Sequence, residues 1–343
     1  MKAFAHPAQA LHDPRFFLMR GRLRPNFEIP TRAAALEAGL ARLGIAPEIP
    51  PEAPRHALLR AHEPAYLDFL RDAAADWAAL PDPGPEIVAN VHPTPEMIAQ
   101  GARLPAGLVG QAGWFTADTA CPIGPGTWDA SVGAASCALA AAGEAAAGRT
   151  AYALCRPPGH HAYAARAGGH CYVNNAAIAV EALKAAGAAR VAVLDIDSHH
   201  GNGTQGIFWK RADVLTVSVH GDPNRYYPWF VGHAGERGAG PGTGCNLNLP
   251  LPQGSDDAAW LAAIGHGLDA IRAFRAEALV VSLGFDASEH EPLGFFRVTA
   301  DGFARAAVAI STLGLPAAII QEGGYNVEVI GGLLERFLGA WGR

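Results

Sequence analysis

The chain has 343 residues, half of them hydrophobic and 17% charged, with a formal net charge of −6. That apolar content supports a sizeable core and excludes wholesale disorder. Lysine occurs only at Lys2, Lys184 and Lys210, and no dense basic stripe is present, which argues against nucleic acid as a partner. No apolar run approaches the ~18 residues of a membrane span, and the start lacks the apolar core of a secretion signal. The cysteines at 121, 137, 155, 171 and 245 are odd in number and form no C-x-x-C pair, so reduced thiols and a cytoplasmic location are expected.

In chain order, a short basic cluster (Arg15, Arg20, Arg22, Arg24) reads as a solvated loop. Residues 31–44 carry helical spacing with Thr31 as the predicted N-cap, and 64–80 continue in that style. Residues 81–128 are dense in proline and glycine, and hold the exposed-type aromatics Trp114 and Phe115. They read as an insertion in one α/β domain spanning 1–343, expected to narrow an entrance and to join two copies into a homodimer. The Ala-rich stretch near 134–147 reads as a packed helix.

From about 150 the pattern becomes regular. Apolar runs at 151–155, 191–197, 214–219, 279–284 and 317–321 alternate with helical segments near 174–187, 257–276 and 301–313. Unpatterned apolar strands alternating with helices predict an α/β fold, an open parallel sheet with helices on both faces. In such sheets ligands sit outside the carboxyl ends of the strands. Those ends carry His160-His161, Asp195 to Asn202, His220-Gly-Asp222, Gly284-Phe285-Asp286 and Glu322-Gly-Gly-Tyr325. Helix capping alone does not explain five such ends.

Asp197 and His199 sit two apart, so both side chains point to one side of an extended segment. With Asp286 from another strand end, two carboxylates and an imidazole form a three-protein-ligand set suited to zinc or ferrous iron, with room left for water and substrate. The adjacent imidazoles of His160 and His161 cannot both be comfortably charged, so their pKa values should be pushed apart, giving one general base and one acid or electrostatic helper. Asp195 and Asn202 are the candidate partners that orient them. Tyr325, after two glycines, can offer a phenol to a developing oxyanion.

These residues lie within RPPGHHA (156–162), GGHCYVNNAAIA (168–179), DIDSHHGNGTQ (195–205), SVHGD (218–222), SLGFDA (282–287) and EGGYN (322–326). Together the motifs resemble the histone deacetylase superfamily, and within it the bacterial acetylpolyamine amidohydrolases. The resemblance implies an arginase/deacetylase-like fold and zinc on Asp197, His199 and Asp286. It implies catalysis by His160, His161 and Tyr325, with Asp195 and Asn202 orienting the histidines. It further implies a structural potassium ion near Asp195 and Ser218, and an acyl tunnel at Gly169, His170 and Tyr227. His170 and Tyr227 stand where a Phe is common, which predicts a more polar tunnel. The related binuclear ureohydrolases use D-x-H-x-D, whereas Gly201 and Ser288 occupy the positions for second-metal carboxylates here.

The expected reaction is hydrolysis of the amide of a small acylated amine, an acetylpolyamine first. Acetyl-lysine peptides and other small acyl amides are the alternatives, and a non-catalytic binding module is the remaining one. Acids suited to a cationic amine are sparse near the expected mouth, leaving Asp118 as the candidate substrate-binding acid, beside Glu86 and Glu96.

Overall fold

The computed structural model describes residues 1–343. Its strands are β1 (Lys2–Phe4), β2 (Phe16–Met19), β3 (Arg22–Pro25), β4 (Ala151–Ala153), β5 (Val191–Asp195), β6 (Val214–Gly221), β7 (Asn246–Leu251), β8 (Ala278–Leu283) and β9 (Ala317–Gln321). Its α-helices are α1 (Thr31–Arg42), α2 (Arg55–Leu58), α3 (Pro64–Ala78), α4 (Pro95–Ala99), α5 (Leu108–Phe115), α6 (Thr127–Ala146), α7 (Asn175–Ala185), α8 (Asn202–Phe208), α9 (Asp257–Phe274), α10 (Ala300–Ser311) and α11 (Ile330–Ala340).

Seven strands form one sheet in the order β1-β4-β9-β8-β5-β6-β7, and every pairing in it is parallel. Side chains of a strand alternate between faces. Val191 and Val193 of β5 therefore pack with α3, α6 and α7, while Ala192 and Leu194 pack with α1, α9, α10 and α11. Both faces being covered, the central strands can be apolar at every position, as the sequence pattern predicts. Side-chain caps start three of these helices: Asn174 accepts from Ala177 N–H, Asp256 from Ala259 N–H and Thr299 from Gly302 N–H.

The order places a topological switch between β5 and β8. From β5 the chain proceeds outward to β6 and β7; from β8 it proceeds the other way, to β9. Connections that diverge from two neighbouring strands leave a crevice at their carboxyl ends. Asp197 follows β5 and Asp286 follows β8 on the two sides of that crevice.

Four details differ from the sequence expectations. Thr31 begins α1 but caps nothing; Pro30 stands at the N-cap, with no side-chain bond. The basic cluster forms the antiparallel β2–β3 hairpin rather than a loop. Residues 81–128 contain α4 and α5, and Phe115 is buried against Phe69 and Tyr66 rather than exposed. The exposed apolar side chains there are Val91, Met97, Ile98, Leu104 and Val109. No helix is long and apolar enough to cross a membrane.

Candidate active site

Asp197, His199 and Asp286 converge at the switch point, their ligating atoms all within 4.8 Å of one another. His199 Nδ1 lies 3.1 Å from Asp197 Oδ1 and 3.0 Å from Asp286 Oδ2. Both aspartates are fully buried. Two buried carboxylates this close repel unless a positive charge sits among them. Backbone amides share the load: Gly323 N–H donates to Asp197 Oδ2 at 2.9 Å, and Ser198 N–H to Asp286 Oδ1 at 2.8 Å. Two glycines leave the space. A Cβ at Gly284 would fall 2.0 Å from Asp197 Oδ2, and one at Gly323 would fall 2.2 Å from Asp286 Oδ2. The donor set, its closeness and this side-chain-free cradle fit a single divalent cation. Tyr226 stacks on the His199 ring at 4.5 Å and holds it in place.

Beside the cluster, the rings of His160 and His161 lie 4.0 Å apart. His160 Nδ1 is 2.9 Å from Asp195 Oδ2, and His161 Nδ1 is 2.6 Å from Asn202 Oδ1. The Asn202 amide nitrogen donates to the Tyr163 hydroxyl, so its oxygen faces His161. An amide oxygen only accepts, which places the proton on His161 Nδ1 and leaves a lone pair on Nε2. The two imidazoles diverge in charge as the sequence predicts. Against the lowering pull of burial, Asp195 and Asp197 hold His160 well above its ordinary pKa. Burial and the neighbouring charges of His160 and His199 hold His161 well below it.

The Tyr325 ring lies 5.7 Å from the His170 ring, and the Arg32 guanidinium stands over the Tyr325 ring, 4.6 Å from its centroid. Burial pushes its phenol well above the ordinary range, so the hydroxyl keeps its proton. Gly169, at φ +53°, lets the chain run against the histidines; a Cβ there would fall 2.4 Å from His161 Cδ2 and 2.8 Å from the Tyr227 hydroxyl. The Tyr227 ring meets that of His161 at 4.9 Å. Its hydroxyl donates to Asp118 Oδ2 at 2.6 Å, and Asp118 also accepts from the Gly169 and Ala120 N–H groups. Nδ1 of His170 likewise bonds Ala120 O at 2.9 Å. The polar tips of Tyr227 and His170 are thus engaged by the protein itself, and Asp118 is a brace for this wall. Ser218 pairs with Asp195 across β5 and β6 and bonds His220 Nδ1 at 2.8 Å. Asp195 and Ser218 both line a cavity of ≈ 10 Å³, room for about one water.

Several residues around the site are given no role by the sequence pattern, although Glu322 stands in a strand-end motif. Glu322 accepts from the Gly159 and His160 N–H groups and so fixes the turn before the histidine pair. Buried Glu28 lies between two buried arginines, Arg32 and Arg156. Arg32 in turn donates to the carbonyls of Gly324 (2.6 Å) and Glu322 (2.7 Å). Glu291 accepts from the Tyr325 N–H. Only a bond to a distant segment distinguishes these charges from ordinary surface ones, and spacing does not reveal such a bond.

The family model for the histone deacetylase domain matches residues 26–340. The chain is 44% identical to acetylpolyamine amidohydrolase of Burkholderia pseudomallei, over 100% of this chain and 99% of that protein. It is 45% identical to acetylpolyamine amidohydrolase 1 of Pseudomonas aeruginosa, over 94% of this chain and 93% of that one. Among solved structures, an acetylpolyamine aminohydrolase from Burkholderia pseudomallei superposes with a TM-score of 0.95 at 44% identity, covering 100% of this chain and 98% of that one. The HD domain of HDA15 superposes with a TM-score of 0.80 at 29% identity, covering 99% of this chain and 89% of that one.

Proposed function

The chain belongs to the histone deacetylase family, and from that premise we propose that it is a metal-dependent amidohydrolase removing the acetyl group of a small acetylated amine, an acetylpolyamine first. The observation that carries this reading is the convergence of Asp197, His199 and Asp286 next to the His160–His161 pair and Tyr325. Asp197, His199 and Asp286 would hold zinc, with ferrous iron as the alternative. Bound there, the ion would supply Lewis-acid polarisation of the amide oxygen and a lowered pKa for its water.

The chain's own groups supply the rest. His161, with Nδ1–H tied to Asn202, offers Nε2 to the water proton. Asp195 keeps His160 charged, and that charge makes the newly protonated His161 a strong acid toward the departing amine. The Tyr325 hydroxyl, held protonated, donates to the oxygen on which negative charge develops. Gly169, His170 and Tyr227 would enclose the acyl chain, with Asp118 bracing them.

We assign the remaining features on the same basis. Residues 1–343 form one domain, and the exposed Val91, Met97, Ile98, Leu104 and Val109 make segment 81–128 the homodimer contact that narrows the entrance. A potassium ion would be held near Asp195 and Ser218, which line the small cavity beside β5 and β6. A cytoplasmic location suits the five free cysteines. A second reading, with acetyl-lysine peptides or neutral acyl amides as substrates, is favoured by the charge at the mouth. Phe17 packs on His170 at 5.7 Å, and register places Arg24 opposite Phe17 on the same hairpin face. A cationic amine gains nothing from an exposed arginine.

One sample decides among these. Metal content, mass by light scattering, and kcat/KM for N-acetylputrescine, acetylspermidines, acetyl-lysine peptides and neutral amides are measured together. The expected result is one divalent ion per chain, a dimer, and acetylpolyamines ahead of peptides. Peptides matching or exceeding acetylpolyamines would shift the assignment to the second reading, and a metal-free active enzyme would refute both.

A further inference from the structure

Glu291 lies in the segment between β8 and α10, is 8% exposed, and forms no ion pair with any Lys, Arg or His. A buried carboxylate without a paired cation is unfavourable by several kcal/mol unless donors replace its water. The donors it has are backbone groups of the Tyr325 turn. Tyr325 N–H approaches Oε1 at 3.1 Å and Oε2 at 3.0 Å, and Asn326 N–H approaches Oε2 at 3.4 Å. Asn326 adds a side-chain bond from Nδ2 to His290 O at 2.8 Å, so the two segments are tied at adjacent residues.

The turn needs such a tie. Tyr325 follows Gly323 and Gly324, and Gly324 sits at φ +113°, in a region that glycine alone enters freely. A Cβ at Gly324 would fall 2.7 Å from Phe285 Cβ, so glycine is also required by space. Backbone freedom at this point would swing the phenol, whose position depends on the following N–H. Arg32 donates to the carbonyl of Gly324 while Glu291 accepts from the N–H of Tyr325. Those two groups belong to one peptide unit, gripped at its carbonyl by a guanidinium and at its N–H by a carboxyl group. The Glu291 segment also accepts the Tyr226 hydroxyl at Leu293 O, and Tyr226 is the residue stacked on His199.

We propose that Glu291 is a positioning residue for the hydrolysis: by accepting the Tyr325 and Asn326 N–H groups it sets the Tyr325 phenol against the scissile carbonyl. The inference rests on the role of Tyr325 proposed above. It makes Glu291 act through that phenol and through nothing else in the reaction.

The test is a double-mutant cycle on the metal-loaded enzyme, with an acetylated amine turned over by the wild type. Glu291→Met keeps the stem volume and removes both acceptors; Glu291→Ala is the second removal variant. In the wild-type background either should lower kcat by about 100-fold, with KM changed less than about threefold. In a Tyr325→Phe background the same replacement should lower kcat less than about threefold, because no phenol is left to position. Glu291→Gln retains an oxygen acceptor and should keep kcat within about tenfold of wild type. An equal loss in both backgrounds, or a loss carried by KM, would overturn the positioning role. A Tyr325→Phe enzyme with unchanged kcat would remove Tyr325 from the mechanism, and this inference with it.

Discussion

Gly323→Ala adds one methyl group to a residue that ligates nothing, and it should cost the protein its metal. Gly323 is absent from the positive-φ residues, so alanine fits its backbone. The effect is therefore steric: the new Cβ would stand 2.2 Å from Asp286 Oδ2 and 2.6 Å from Asp197 Oδ2. The Asp286 oxygen would have to retreat by roughly 1 Å and the Asp197 oxygen by roughly 0.5 Å, each more than the ~0.2 Å tolerance of a metal–ligand distance. We expect zinc affinity to fall by about 100-fold, at the upper end of what the loss of a supporting residue does. The assay compares urea unfolding with and without zinc. At free zinc of about 1,000 times its Kd, the wild type should gain about 4 kcal/mol, whereas a 100-fold weaker site gains only about 1.4 kcal/mol. Overpacking should also cost the zinc-free variant about 1–3 kcal/mol. Gly332→Ala in α11 serves as the control, since no atom lies within 4 Å of its new Cβ. It should leave the zinc gain unchanged. An equal gain in Gly323→Ala and wild type would refute the idea that these two carboxylates hold the ion.

Glu28→Ala leaves Arg32 and Arg156 buried without their shared anion, and should destabilise the fold by about 3–5 kcal/mol in urea titrations. A loss below about 1 kcal/mol would mean that the carbonyls they also reach suffice. Burial holds His62 down to about 4 from its ordinary 6.5, with Nε2 accepting the Asn174 N–H. The unfolded chain therefore takes up that proton first, so the stability involved is complete above about pH 6.5 and lost as pH falls toward about 4. The slope is at most about 1.4 kcal/mol per pH unit. His62→Gln should flatten that window in unfolding measured between about pH 7.5 and about pH 4.5, and an unchanged slope would rule His62 out as its source.

The candidate ligands and the histidine pair were legible because each sits directly after an apolar run, where parallel strands deliver their side chains. Asp197 and His199 carry the two-residue spacing, and Asp286 and Tyr325 follow β8 and β9. The edges of the sheet were not legible. Lys2–Phe4 is too short to show a period, and Asn246–Leu251 mixes asparagine and proline into an edge strand. Phe115 was misread as exposed because its partners, Tyr66 and Phe69, lie on α3, far away in sequence. Glu28, Arg32 and Glu291 were invisible for the same reason, and Glu322 was seen in its motif without its role. Arg32, Glu291 and Glu322 act through backbone groups far away in sequence and Glu28 through the distant Arg156, and a lone charge has no periodicity.

The bond from Arg32 to the Gly324 carbonyl spans 292 residues. The two segments that frame the phenol are thus far apart in sequence, the arginine being made well before the turn it grips. Until β9 emerges, β4 has no strand to join it to β8, and the pocket around Tyr325 closes only when β9 and the residues after it dock beside the arginine. Hydrolytic competence therefore waits on the Tyr325 turn, and a chain cut short before residue 322 would lack it.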